Sequence, residues 1–90
     1  MNFEWDNNKA IVNLKKHGVS FQEGTTVFGD PLAITFNDPD HSIGEHRLLT
    51  FGSTSTGKLI IVSNIETSFS NRIISVRLMT KQEKKIYEEG

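Results

Sequence analysis

Cysteine is absent from all 90 residues, which excludes disulfides, thiol nucleophiles and cysteine-based zinc sites together. Long apolar runs are also missing. The longest, Leu59-Ile60-Ile61-Val62, is far too short to cross a bilayer. The opening Met1-Asn2-Phe3-Glu4-Trp5-Asp6 has neither the basic nor the apolar region of a signal peptide, so a cytoplasmic protein without membrane attachment is expected. Nor is there an excess of positive charge. Ten Lys and Arg against eleven Asp and Glu leave a net charge of −1, which excludes a strong electrostatic nucleic-acid binder but not a small RNA-binding surface. A chain of 90 residues predicts one domain with one modest core and no room for a large cofactor site.

What charge there is lies unevenly. Lys9, Lys15, Lys16 and His17 cluster in a first helical segment, Lys81, Lys84 and Lys85 in the last, and acidic residues dominate 30–45. Phe3-Glu4-Trp5 predicts a short strand, and Asp6 an N-cap for a helix whose apolar stripe is Ala10, Ile11 and Leu14. Gly18 suits the left-handed residue that ends it. Ser20 and Glu23, at capping-box spacing, start a second helix, weak because Gly24, Thr25 and Thr26 follow, and stopped by Gly29 and Pro31. Strand patterns cover residues 32–36, 45–51, 58–65 and 72–78, and Thr80 with Glu83 caps a final helix. The order β-α-α-β-β-β-β-α predicts an α+β domain, an antiparallel sheet of about four strands covered on one face.

Three clusters invite functional readings. Residues 52–59, GSTSTGKL, nearly spell a phosphate-binding loop, but Leu59 stands where the motif needs Ser or Thr and a strand pattern follows instead of a helix. A hairpin loop is the better reading. Asp38, Asp40, His41, Glu45 and His46 crowd one segment that could hold a divalent cation, yet Asp-Pro-Asp forms turns without any metal, and the solvated loop is preferred. Lys9, Asn13 and His17 share one helix face; His17 could move protons, though a histidine in a last turn also complements the helix dipole.

The most informative stretch is Arg72-Ile73-Ile74-Ser75-Val76-Arg77. Strand alternation predicts Ile74, Val76 and Leu78 in the core, with Ile73, Ser75 and Arg77 on the other face. A guanidinium beside a hydroxyl on a rigid strand suits an anionic ligand. Arg77 could equally pair with a carboxylate of the following helix. Both readings stand at this point.

Several ordered motifs together resemble the BrnT toxins. Phe3-Glu4-Trp5-Asp6, Lys9, Asn13 and Lys16-His17-Gly18-Val19-Ser20-Phe21 are similar to the N-terminal signature, and Val27-Phe28-Gly29-Asp30-Pro31, Asp40-His41-Ser42, Glu45 and Arg47 continue it. The run 72–77, Glu83 and Tyr87 resemble the C-terminal signature. The resemblance implies a RelE-like fold and a ribonuclease toxin of a type II toxin–antitoxin pair, inhibiting translation and growth. It also implies a BrnA-type antitoxin that wraps the toxin, with operator DNA bound only through the antitoxin or the complex.

Metal-independent RNA cleavage must deprotonate the 2′-hydroxyl, stabilise the phosphorane and protonate the leaving 5′-oxygen. Arg77, then Arg72 and Arg47, are the residues expected to stabilise charge, since arginine binds phosphate through two parallel donors and stays charged. His17, Glu83 and Tyr87 are the acid–base candidates, the last two one helical turn apart. Lys9, Lys16, Lys81 and Lys84 are expected to bind RNA, with no cofactor and no metal. A weak base fits a nuclease that is slow alone and completed by RNA or a ribosome. The alternatives are a catalytically weak binding module, acting as antitoxin partner and operon co-repressor, and a cation-dependent nuclease using the 38–46 loop.

Overall fold

The computed structural model describes residues 2–40 and 46–90. Their elements run β1 (Phe3–Glu4), α1 (Asn7–His17), α2 (Phe21–Thr25), a 3-10 turn (Thr26–Gly29), β2 (Ile34–Asn37), β3 (Arg47–Ser53), β4 (Leu59–Glu66), β5 (Asn71–Leu78) and α3 (Lys81–Glu89). The helix ends follow local chemistry. The Asp6 carboxylate accepts the amides of Asn8 and Lys9 at 2.8 and 3.1 Å, and Gly18 takes φ 72° while donating to the Leu14 carbonyl. Ser20 accepts the Glu23 amide, but the Glu23 side chain leaves its expected box. It binds Thr56 and Lys58 instead, fastening α2 to the β3–β4 hairpin. Residues 54–58 are that hairpin's turn, with Gly57 at φ 88°, and β4 follows directly.

The five strands lie in the order β1-β5-β4-β3-β2. All neighbours are antiparallel except β1, which pairs parallel to β5 through Phe3–Asn71 and Glu4–Arg72. The sheet is therefore mixed and five-stranded, not an antiparallel one of about four. The difference is β1, too short to form alone and held by a strand almost seventy residues later. Both faces are at least partly covered, correcting the one-sided expectation. On the first, α1, α2 and the 3-10 turn enclose Val19, Phe21, Val27, Ile60, Val62, Ile73 and Val76. The layers meet closely: a Cβ on Gly24 would lie 2.7 Å from Val76 Cγ2. On the second face α3 crosses Phe51, Ile61 and Met79, with Leu49, Leu59 and Tyr87 around them.

Two packing expectations are corrected. Ile11 and Leu14 stay outside, 55% and 48% exposed, so α1 does not dock by its apolar stripe. It docks by Ala10 and by Asn13, which is buried. The Asn13 amide donates to the carbonyls of Val76 at 2.8 Å and Val19 at 3.3 Å, and its oxygen accepts the Val76 amide at 3.1 Å. In β5 the pairing with β4 slips between Ser63 and Asn64, leaving Ile74 without a register partner. That bulge shifts the alternation. Ile73 and Val76 are core residues, Ile74 is half-buried and Leu78 is exposed.

Candidate active site

The bulge turns Arg72, Ser75 and Arg77 to the same face of β5, away from the main core. Register extends each into a row across the second face. Arg72 aligns with Ile65 and Arg47; Ser75 with Ser63, Leu49 and Phe36; Arg77 with Ile61, Phe51 and Ile34. Two strand spacings put Arg47 and Arg72 about 10 Å apart in the sheet.

The third row lies under α3. Arg77 donates to both oxygens of Glu83, at 2.7 and 2.8 Å, and Glu83 also completes the capping box with Thr80. The Tyr87 hydroxyl donates to Asp30 Oδ2 at 2.6 Å. Asp30 accepts the amides of Ser53 and Leu32 as well. Since α3 buries no residue fully, these two side-chain pairs and the packed Tyr87 ring are its main fastenings. The first two rows lie beyond the α3 fastenings, with Arg72, Ser75, Ser63 and Arg47 half-buried in them and Phe36 exposed at the edge. Arg72 meets Glu4 only at 3.8 Å, with both side chains well exposed, a contact of little energy.

The fastenings perturb their own titrations. The Arg77 fork, against the opposing effect of burial, holds the Glu83 carboxyl down to about 2, while Glu83 raises Arg77. The bond to Asp30, reinforced by burial, pushes the Tyr87 hydroxyl up to about 12. Burial pushes Asp30 up, but the Tyr87, Ser53 and Leu32 donors together outweigh it and leave it below its ordinary value. The lowered Glu83 helps hold α3 above its ordinary 4.5 and loses that contribution as pH falls through about 2. The raised Tyr87 contributes up to its ordinary 10.0 and loses it as pH rises through about 12. Tyr87 is the chain's one tyrosine, so an absorbance titration reads it alone. We expect a midpoint near 12, shifting down toward 10 in Asp30→Asn; an unperturbed wild-type midpoint would mean the Asp30 contact does not persist in solution.

The remaining candidates gather elsewhere. Lys9, Lys16 and His17 line a cleft of about 380 Å³ between α1 and β5, with Asn13, Ile74 and Ser75. Ser75 joins this cleft to the first two rows. His17 thus stands across the sheet from Glu83 and Tyr87, and the three acid–base candidates do not converge. Lys81 and Lys84 are exposed on α3. Asp30 was missed as a site residue because Gly29-Asp30-Pro31 reads as a helix stop; its place in the family-like motif was the available signal. Of the acidic segment, His41 and Glu45 lie outside the described residues, and Asp38 accepts the Asp40 amide in a turn. Among the described residues no three His, Asp or Glu side chains group to hold a metal ion.

A family model described as "Ribonuclease toxin, BrnT, of type II toxin-antitoxin system" matches residues 5–83. The chain belongs to the BrnT family. Its fold is similar to the crystal structure of the Brucella abortus ribonuclease toxin BrnT, with a TM-score of 0.71 and 23% identity, covering 90% of this chain and 99% of that one. No curated protein matches. The BrnT match takes in Arg47, Arg72, Arg77 and Glu83 and stops short of Tyr87. No helix among the described residues is long and apolar enough to cross a membrane.

Proposed function

We propose that this BrnT chain is a RelE-like, metal-independent endoribonuclease toxin in which positive charge, more than acid–base chemistry, carries catalysis. The observation behind the reading is the Ile74 bulge, which gives Arg72, Ser75 and Arg77 one common face. RNA lies over the first two rows, its scissile phosphate beside β5. Arg72 and Arg47 neutralise the backbone, and Arg77 stabilises the phosphorane once phosphate takes its fork from Glu83, since carboxylate and phosphate alike offer two anionic oxygens to a guanidinium. A carboxyl near 2 is a weak base and a phenol near 12 a weak acid at neutral pH. His17, beside Ser75, is the remaining group to move a proton. Lys9 and Lys16 hold the strand in the cleft, and Lys81 and Lys84 give outlying charge.

The Arg77–Glu83 lock also favours a second reading, a catalytically weak module whose work is to bind an antitoxin and co-repress its operon. In either case a BrnA-type antitoxin covers the arginine face, operator DNA is reached only through the complex, and a ribosome can complete the site. The test is incubation of the purified chain with RNA, with and without EDTA. Cleavage unaffected by EDTA supports the ribonuclease. Loss of cleavage in EDTA overturns metal independence and revives the 38–46 loop. Absence of cleavage with and without ribosomes leaves the binding module.

A further inference from the structure

Phe36 is an exposed ring on the arginine-bearing face. It sits on the edge strand β2 and is 41% exposed. Its ring meets Phe51 at 5.2 Å between centroids and 71° between planes, and Phe51 is core. The ring is therefore braced from below and open above. Across the sheet its row continues through Leu49 to the hydroxyls of Ser63 and Ser75, and ends at the cleft of Lys9, Lys16 and His17. Three strand spacings make that path about 14 Å long. Arg47 and Arg72 flank it in the neighbouring row.

We infer that Phe36 is a stacking platform for an unpaired base, and that the substrate of this site is single-stranded RNA laid across the strands from Phe36 to Ser75. The inference rests on the ribonuclease reading. A platform of this kind needs a free base face, which a duplex keeps inside its own stack. An aromatic ring followed by hydroxyls and flanked by cations suits a base followed by ribose and phosphates. An apolar protein segment would find a poorer surface, since half of the row is serine and the row beside it carries two arginines. Stacking on Phe36 fixes where the strand enters, and thereby which phosphate comes to Arg72, Ser75 and Arg77. Phe36 is thus a specificity-determining residue.

The test measures affinity for a 2′-O-methyl RNA oligonucleotide, which cannot be cut through its 2′-oxygen, using the full chain. Phe36→Leu, which keeps the contact with Phe51 but has no ring, is expected to weaken binding about tenfold. Phe36→Tyr should bind like wild type. The same oligonucleotide made abasic along its length should bind wild type about tenfold less well and distinguish little between wild type and Phe36→Leu. The abasic arm uses wild type alone, so it decides even if a variant fails to fold. Equal wild-type affinity for normal and abasic RNA overturns the platform. So does a Phe36→Leu variant that binds RNA normally but no longer captures a co-expressed antitoxin, which assigns the ring to a protein partner. If wild type binds and cleaves RNA and the ring is indifferent, only this inference fails; if wild type binds no RNA, the ribonuclease reading fails with it.

Discussion

Asn13→Ala is expected to lower the unfolding free energy by about 3–4 kcal/mol, seen as a lower urea midpoint at unchanged m-value. Beyond Arg72 the outer side of β5 has no neighbouring strand, because β1 pairs only with Asn71 and Arg72. The Asn13 amide fills that gap. It accepts from the Val76 amide and donates to the Val76 and Val19 carbonyls, three bonds in a buried setting. Alanine would leave all three backbone groups unsatisfied, at about 1–3 kcal/mol each. Water entering from the adjoining cleft offsets part of this, hence the lower end of the sum. Asn13→Asp should be no milder, since a carboxylate there would face two carbonyls. A loss below about 1 kcal/mol, the worth of one ordinary bond, would mean that water already serves this edge.

Arg77→Ala is expected to reduce RNA cleavage by about 10²–10³-fold, the usual effect of removing one donor from a developing negative charge. The effect on stability should be smaller, because the Arg77 side chain is 39% exposed and its ion pair is partly screened. Expression without an antitoxin should slow growth, and this substitution should relieve it while the protein stays folded. Glu83→Gln separates the roles. A neutral amide gives up the fork more readily than a carboxylate, so this variant should keep its cleavage and bind RNA at least as well. Retained cleavage in Arg77→Ala, or a loss that follows unfolding, would make Arg77 structural. A large loss in Glu83→Gln would make the ion pair itself part of the working geometry.

The features legible in the sequence are those set within a few residues. Asp6, Ser20 and Thr80 cap the three helices, and Gly18 ends the first, each through contacts no more than four residues away. The hairpin loop before Leu59 is equally plain, because Leu59 stands where the phosphate-binding motif needs Ser or Thr and the strand pattern Ile60-Ile61-Val62 follows it. Features that depend on distant partners were hidden. Nothing local distinguishes Asn13 as a plug for a strand 63 residues on, or Asp30 as the acceptor for Tyr87, 57 residues away. The bulge had no sign either, since Ile73, Ile74 and Val76 are alike in β propensity. Without it, alternation points Ile74 inward and leaves Arg72 opposite Arg77. The arginines stand out in the sequence as candidates, but their common face is visible only with β4 beside them.

The parallel pairing of β1 with β5 bears on the order of events during synthesis. The first strand waits for a neighbour near the far end of the chain, and α1 waits for the same strand to receive Asn13. Neither can settle while Asn71–Leu78 is still unmade, a topology of distant contacts that slows folding. Those eight residues also carry Arg72 and Arg77. A nascent chain therefore gains its closed architecture and its cationic face in one late step, and a fragment stopped before β5 has neither.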